Sequence, residues 1–280
     1  MERSVTKRVL ITGGASGLGK SLATYFLSQG HHVCIVDVND ERGKQALESF
    51  SATGTQGEVF FQRCDVTKAD DLQAAVNAVT DRWGGLDVMV NNAGVAGGGP
   101  FDWVSNEDWQ WIMDINFFGV LRGCQAAVPI MKEQGSGHIV NIASMAGLLN
   151  PPGMSSYNVS KAAVVSLSET LVAELEPFGI GVTCVCPSFF KTNLGESMRS
   201  PDESTSDNLA KLMDNSDELS AEDIAKMIHD AVQNKGFLLM PHDKARAAWE
   251  YKQQDLDGHL KIQLKLARSV KDRAKPKSRP

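Results

Sequence analysis

Short apolar runs rich in β-branched residues alternate with longer helical patterns along most of this chain. The predicted strands span 8–14, 32–38, 59–66, 86–94, 137–144, 180–187 and 236–241; the predicted helices span 17–30, 40–50, 68–83, 106–134, 155–177 and 220–234. Continuous apolar strands indicate a parallel sheet that is covered on both faces. Right-handed crossovers between the strands then give a doubly wound α/β fold with three layers, α/β/α.

No internal repeat or linker divides the first 241 residues, so we expect 1–241 to be a single domain with this Rossmann-type sheet. Within it, residues 188–218 are rich in Ser, Asp and Asn without a clear period, which suggests a mobile lid over a substrate site. Residues 242–280 form a C-terminal helical and basic extension. Its apolar residues have helical spacing, so it could pack on the body or on a second subunit: Leu260, Ile262, Leu264 and Leu266.

The charge is unevenly distributed. The net charge is −6, but residues 261–280 carry eight Lys or Arg and one Asp, a local charge of +7, which leaves −13 for the remainder. An acidic body argues against nucleic-acid binding. The basic tail could contact an anionic surface, although a solvated terminus is the simpler interpretation.

The sequence also favours a cytoplasmic protein. The N-terminus has no signal-peptide core, and no run of about 18 apolar residues predicts a membrane span. The five cysteines form no C-x-x-C pair or His/Cys cluster, so no metal site is expected and reduced core thiols are the simplest interpretation. A catalytic cysteine is the alternative, but no neighbouring group would activate a thiolate.

The stretch "TGGASGLG", from Thr12 to Gly19, lies between the first strand and the first helix. Glycines at 13, 17 and 19 permit a tight turn and a close approach of the backbone to a ligand. The helix that follows offers free N–H groups to a pyrophosphate. A purely structural turn is the alternative, but the strand–turn–helix context favours a dinucleotide site.

Asp37 ends the second strand, about 20 residues beyond the glycine loop, where a carboxylate can bind ribose hydroxyls. It would repel a 2′-phosphate, and no Arg or Lys follows it immediately. NAD is therefore predicted in preference to NADP. The alternative is an acidic residue that only caps a turn.

The stretch "SSYNVSKAA" places Tyr157 and Lys161 four residues apart on a predicted helix. Such a pair meets on one helix face. It could be an exposed pair, or the ammonium could lower the pKa of the phenol so that Tyr157 acts as an acid or base near pH 7.

Together these motifs resemble the short-chain dehydrogenase/reductase family over about residues 6–241. "TGGASGLG" is similar to that family's coenzyme motif, "DV" (65–66) to its adenine-contacting pair, "NNAG" (91–94) to its fourth-strand motif, and "PSFFKT" (187–192) to its P-G-x-x-x-T segment. The resemblance implies four catalytic residues: Asn116, Ser144, Tyr157 and Lys161. It also implies cofactor contacts at Thr12, Gly13, Ser16, Gly17, Leu18, Gly19, Asp37, Asp65, Val66, Asn92, Ala93, Gly94, Tyr157, Lys161, Pro187 and Thr192.

The implied reaction interconverts an alcohol and a ketone by hydride transfer. Tyr157 would be the acid/base, Ser144 would donate a hydrogen bond to the substrate oxygen, Lys161 would bind the nicotinamide ribose, and Asn116 would hold a relay water. One departure is Ser188, which stands where the family usually has glycine and could shift the turn beside the nicotinamide. An NADP-dependent carbonyl reductase and a non-catalytic NAD-binding protein are the alternatives.

The substrate should be a small molecule, a secondary alcohol or ketone of hydrophobic character. The loop at 94–104, the residues after Ser144 and the segment 189–218 should form its site, with Val95, Met145, Met154, Phe189 and Phe190 as candidate contacts. Some of these could instead pack the lid. The resemblance further implies a homodimer or homotetramer, with the helices at 106–134 and 155–177 at one interface.

Overall fold

The computed structural model describes residues 6–51, 57–191, 193–201 and 219–271. Within them, seven parallel strands form one sheet in the order β3-β2-β1-β4-β5-β6-β7. The strands are β1 (Arg8–Thr12), β2 (His32–Asp37), β3 (Val59–Arg63), β4 (Val88–Asn91), β5 (Gly137–Ile142), β6 (Ile180–Val185) and β7 (Leu238–Leu239). All seven begin within two residues of their predicted starts, and the parallel Rossmann-type sheet is confirmed.

Helices cover both faces of this sheet. They are α1 (Gly17–Ser28), α2 (Asp40–Ser51), α3 (Ala69–Trp83), α4 (Asn106–Met113), α5 (Gly119–Gln134), α6 (Ala146–Leu149), α7 (Ser155–Leu175), α8 (Ala221–Asn234), α9 (Asp243–Gln254) and α10 (Leu256–Lys271). Successive strand residues point to opposite faces. Leu10 joins the core beneath α3, α5 and α7, whereas Val9 and Ile11 join the core beneath α1, α2 and α8.

The order in which successive strands are added to the sheet reverses between β1 and β4. In such a sheet, ligands bind in the crevice at the carboxyl ends of the strands beside that reversal. The segments that leave β1, β2, β4, β5 and β6 at this edge contain the motifs selected from the sequence. The fold thus gathers residues that are far apart along the chain.

The predicted helix at 106–134 is helical throughout but not uniform. A π-helical turn at Asp114–Phe118 separates α4 from α5. Such turns are rare and often mark functional sites. The helix predicted at 155–177 ends at Leu175 and gives way to a 3₁₀ turn that contains Pro177.

The C-terminal extension packs on the body of the same chain. Ala245 of α9 is buried in the core, and Trp249 packs against the same core cluster, as does Leu148 of α6. Of the predicted lid, residue 192 and the segment 202–218 lie outside the described residues. The part before it is held in place, because Arg199 exchanges backbone hydrogen bonds with Ala96 and Gly98.

Other expectations concern the thiols and the membrane. All five cysteines are free and buried, as predicted. Burial raises the pKa of both Cys64 and Cys124 to about 12, which opposes thiolate chemistry.

Within the described ranges, we find no helix with the length and apolar character that crossing a bilayer requires.

Candidate active site

A cavity of about 1130 Å³ runs along the carboxyl edge of the sheet. At one part of it, the loop after β1 is built from glycines: Gly13 and Gly17 have φ of 62° and 48°, in the left-handed region that favours glycine. Helix α1 begins at Gly17, and the N–H groups of its first turn, which have no partner within the helix, face the cavity. Four predicted contacts of this loop line the cavity: Gly13, Ser16, Gly17 and Leu18.

Thr12 and Gly19 do not line the cavity but shape the loop. The Thr12 hydroxyl accepts hydrogen bonds from the backbone N–H of Asn92, at 2.9 Å, and of Ala93, at 3.0 Å. The side-chain amide of Asn92 donates hydrogen bonds to the carbonyls of Thr12 and Gly13, at 2.8 and 3.2 Å. The loops after β1 and β4 are therefore tied to each other, and Asn92, Ala93 and Gly94 reach the cavity wall.

Asp37 lines the cavity at the end of β2, as predicted. Its carboxylate accepts hydrogen bonds from the backbone N–H of Asn39, at 3.0 Å, and of Ala15, at 3.4 Å. Asp65 and Val66 line the same region. The sequence interpretation missed Arg42, which also lines the cavity and forms an ion pair with Glu196 at 2.8 Å. Arg42 lies in the first turn of α2, five residues beyond Asp37, and the sequence gives no direct sign that its side chain reaches the cavity.

Ser144, Tyr157 and Lys161 line the cavity together. Ser144 follows β5, and its hydroxyl accepts a hydrogen bond from the Ala146 N–H at 3.1 Å. Tyr157 and Lys161 are both buried on α7, and the Lys161 ammonium lies 5.8 Å from the centroid of the Tyr157 ring. That ammonium donates a hydrogen bond to the Ile142 carbonyl at 2.9 Å. The pair is therefore not an exposed helix pair.

The pKa shift of Tyr157 is opposite in sign to the sequence-based expectation, which was a lowered pKa. Burial raises the pKa of Tyr157 to about 12, and the hydrogen bond with Ser144 only partly opposes this effect. Burial also lowers the pKa of Lys161 to about 8. Burial therefore acts against proton loss from the phenol, because removal from water disfavours the charged phenolate.

Asn116 lies in the π-helical turn and is fully buried outside the cavity lining. Its side-chain oxygen accepts from the Val95 N–H at 2.8 Å, and its amide donates to the Val95 carbonyl at 3.0 Å and to the Ser160 hydroxyl at 3.1 Å. The side chain thus fixes the loop after β4. Gly94 lies between Asn116 and Lys161, since a Cβ there would stand 3.2 and 3.4 Å from their polar atoms.

All five predicted substrate contacts line the cavity: Val95, Met145, Met154, Phe189 and Phe190. Pro187 does so as well, whereas Thr192 lies outside the described residues. Ser188 does not strain the turn, because its φ is not positive. Serine therefore fits the backbone conformation at this position. Its backbone N–H donates a hydrogen bond to Nδ1 of His242 at 3.1 Å.

The sequence missed several further parts of the wall. They are Trp111, Ile115, Ala247, Ala248, Tyr251, His259, Ile262, Gln263 and Leu266. The helical spacing at 260–266 showed that an apolar face exists on the extension. It did not show which surface that face meets, since this depends on how the extension docks.

The sequence model of the short chain dehydrogenases matches residues 7–203. The chain belongs to the short-chain dehydrogenase family. Short-chain dehydrogenases are oxidoreductases that bind a nicotinamide cofactor, which agrees with the glycine loop and the Ser144, Tyr157 and Lys161 cluster. The match ends before α8 and therefore does not include the C-terminal helices.

Individual short-chain dehydrogenases are similar over most of the chain. Zerumbone synthase from Zingiber zerumbet is 35% identical over 86% of this chain and 85% of its own length. (+)-Borneol dehydrogenase 2 from Salvia officinalis is 38% identical over 73% and 72%. A crystal structure of a short-chain dehydrogenase/reductase from Burkholderia phymatum in complex with NAD has a TM-score of 0.85 and 29% identity, and the match covers 100% of this chain and 99% of that one.

Proposed function

We propose that this short-chain dehydrogenase interconverts a hydrophobic secondary alcohol and its ketone with NAD, with Tyr157 as the acid/base. The observation that carries the proposal is the meeting of Ser144, Tyr157 and Lys161 with the glycine loop and Asp37 on one cavity. A cavity with this combination has a group for proton transfer beside a place for a dinucleotide.

The residues of the glycine loop fit a dinucleotide. Its left-handed glycines and the N-terminus of α1 leave backbone N–H groups available for a pyrophosphate. A Cβ on Gly13 would press against the Cα of Ala93 at 3.0 Å, so the space beside the loop depends on glycine. Lys161 would hold the nicotinamide ribose, and Pro187 and Thr192 the carboxamide.

Asp37 supports NAD over NADP, because a carboxylate accepts hydrogen bonds from ribose hydroxyls and repels a phosphate. Arg42 favours the alternative, since a guanidinium on the same wall could bind a 2′-phosphate. Its ion pair with Glu196 offsets part of its charge. We therefore keep NAD as the proposed cofactor and NADP as the second candidate.

The cofactor supplies the hydride acceptor in oxidation and the hydride donor in reduction. In oxidation, Tyr157 takes the proton of the substrate hydroxyl, and in reduction it returns that proton to the carbonyl oxygen. Ser144 donates a hydrogen bond to the same substrate oxygen. Burial raises the pKa of Tyr157. The ammonium of Lys161 would favour the phenolate, and an oxidised nicotinamide would add a second positive charge. Asn116 serves this chemistry by holding Val95, and its role in a water relay stays a prediction.

An apolar substrate is supported by the wall around the catalytic groups, where Met145, Met154, Phe189 and Phe190 gather. The name of the Salvia officinalis relative points the same way, since borneol is an apolar secondary alcohol.

We also propose a cytoplasmic location and a homodimer or homotetramer. Sedimentation equilibrium would test the assembly.

Turnover by Tyr157→Phe tests the proposal. NADH fluorescence would be followed with a panel of ketones, and NAD⁺ reduction with the matching alcohols, each repeated with NADPH or NADP⁺. We expect Tyr157→Phe to lose about 10²–10⁴-fold in kcat, the usual contribution of acid–base catalysis, with a much smaller change in its affinity for NADH. Tyr25→Phe is the matched control, because Tyr25 packs against His229 outside the cavity lining. Near-normal turnover by Tyr157→Phe would reject the assignment.

A further inference from the structure

Helix α10 has three different faces, and a short pattern in its sequence sets them. Residues 259–261 and 263–265 repeat the order polar residue, leucine, lysine: His259-Leu260-Lys261 and Gln263-Leu264-Lys265. Successive residues of an α-helix are turned by about 100° from each other, and residues four apart lie on one face. The repeat therefore gives a polar face, a leucine face and a lysine face along the same helix.

The polar face is seated on the body. His259 is buried, and its Nε2 lies 3.1 Å from the carbonyl oxygen of Leu149. The side-chain amide of Gln263 donates a hydrogen bond to the same carbonyl, at 3.3 Å. In the preceding helix, Lys252 donates to the carbonyl of Leu148. These contacts fix the rotation of α10 about its axis, so the leucine and lysine faces are turned away from α6.

The leucine face is exposed. Three leucines at four-residue spacing form it, here called the leucine stripe: Leu256, Leu260 and Leu264, with exposed fractions of 55%, 48% and 57%. The cavity is lined by Ile262 and Leu266 of the same helix and not by these leucines. A contiguous exposed apolar surface is typical of an interaction site. The leucine stripe therefore needs a partner other than a ligand of the cavity.

The lysine face places positive charge beside the leucine stripe. Lys261, Lys265 and Arg268 are exposed, whereas Asp257, the acidic residue of α10, lies in its first turn. Residues 261–271 carry four Lys or Arg and no acidic residue, and residues 272–280 carry four more with one Asp. The charge of residues 261–280 is thus +7 against −13 for the remainder. An anionic surface would attract this end of the molecule and repel the rest, which orients α10 toward that surface.

We propose that α10 is a docking helix for an anionic lipid surface. The leucine stripe enters the boundary between the headgroups and the acyl chains, and Lys261, Lys265 and Arg268 lie among the anionic headgroups. Amphipathic helices with leucine on one side and Lys or Arg on the other bind membranes in this way, in the plane of the surface. None of the helices in the described ranges could cross a bilayer, so the association is with the surface only.

The charge of α10 favours a lipid surface over a second copy of this chain. A symmetric contact through the leucine stripe would place the lysine face of one copy beside the same face of the other. Such like charges repel each other, whereas anionic headgroups neutralise them. The proposal goes beyond the proposed function, because it concerns where the enzyme works and not what it converts.

Co-sedimentation with lipid vesicles tests the proposal. The full chain would be mixed with vesicles of phosphatidylcholine, and with vesicles in which about one lipid in three is phosphatidylglycerol. We expect binding to the anionic vesicles only. This binding should be lost in about 1 M NaCl, where the screening length falls to about 3 Å. Equal binding to both kinds of vesicle, or binding to neither, would overturn the proposal.

A charge variant tests the lysine face. The triple variant Lys261→Gln/Lys265→Gln/Arg268→Gln should bind the anionic vesicles about 100-fold more weakly, since each basic residue near such a surface contributes about fivefold. Its matched control changes the net charge equally at exposed lysines of three other helices, Lys44→Gln/Lys132→Gln/Lys226→Gln. The control should lose much less, because its lysines do not lie beside the leucine stripe. An equal loss would show that the binding depends on net charge and not on α10.

An apolar variant tests the leucine stripe. Leu264→Ser should weaken binding about fivefold, because lipid would cover about half of a leucine side chain. Phe178→Ser is the control, since Phe178 is also exposed, at 41%, but precedes β6 at the opposite edge of the sheet. If the two variants lose binding equally, the leucine stripe is not the contact.

Two further measurements separate lipid docking from other effects. The α10 variants should keep the thermal midpoint and the NADH affinity of the wild type, because none of the changed residues lines the cavity. Sedimentation equilibrium without lipid should give the same mass for Leu264→Ser and the wild type. A smaller mass for Leu264→Ser would show that the leucine stripe joins two copies of the chain, and the lipid proposal would then be wrong.

Discussion

Replacement of Gly19 by alanine should weaken cofactor binding although Gly19 does not touch the cavity. A Cβ on Gly19 would overlap the carbonyl oxygen of Gly13 and stand 2.6 Å from Nδ2 of Asn92, well inside an ordinary contact of 3.4 Å. The carbonyl belongs to the backbone and cannot rotate away. Relief therefore requires α1 to move away from the two loops that Thr12 and Asn92 tie together.

Overpacking of this kind costs about 1–3 kcal/mol. Alanine gains back up to about 1 kcal/mol in helix propensity. Because every 1.4 kcal/mol is a factor of ten in affinity, we expect the dissociation constant of NADH to rise about 10-fold, together with a lower thermal midpoint. Fluorescence titration of NADH and thermal unfolding measure the two effects.

Gly236→Ala is the control, because a Cβ there would meet only the Cβ of Ala231, at 3.9 Å. It should bind NADH like the wild type. If Gly19→Ala also binds NADH within twofold of the wild type and unfolds at the same temperature, the reasoning about the packed glycine loop is wrong.

Two further predictions concern charge. Asp37→Ser should shift the preference toward NADP by about tenfold or more, since it removes the repulsion of a 2′-phosphate and leaves Arg42 on the same wall; an unchanged ratio of kcat/KM for the two cofactors would count against Asp37 as the selector. Burial lowers the pKa of His138 to about 4 from its usual 6.5, so the unfolded chain binds the proton first. Stability is then complete above pH 6.5 and falls by about 3 kcal/mol as the pH drops toward 4. His138→Gln can keep the hydrogen bond to Thr183. Its free energy of unfolding in urea should fall less than that of the wild type between pH 7.5 and 4.5. An identical fall would show that His138 does not cause the loss of stability in acid.

The parts of the site that the sequence predicted lie close to strand ends. In a parallel sheet, the carboxyl ends of the strands share one edge, so Gly13, Asp37, Asn92 and Ser144 could be placed from the strand pattern alone. Each of them lines the cavity. Local spacing was sufficient for these residues because formation of the sheet brings the ends of distant strands together.

The parts that the sequence did not predict depend on packing between distant segments. The spacing of Tyr157 and Lys161 shows that the two meet, but the sign of the pKa shift is set by burial, which neighbouring helices impose. The helical spacing of residues 260–266 likewise gives an apolar face without its partner. Arg42 reaches the cavity from α2 because of the way that helix lies over the sheet edge.

The helices α9 and α10 form a pair, and four side chains of the extension attach it to described residues of the body through hydrogen bonds of one form. In each, a side chain of the extension meets a main-chain atom of the body: His242 with the N–H of Ser188, Lys252 with the carbonyl of Leu148, and His259 and Gln263 with the carbonyl of Leu149. Main-chain groups are present whatever side chain stands at those positions. The attachment is therefore modular: a chimera that keeps these four side chains could carry a different helix pair, and with it a different pocket, on an unaltered catalytic body.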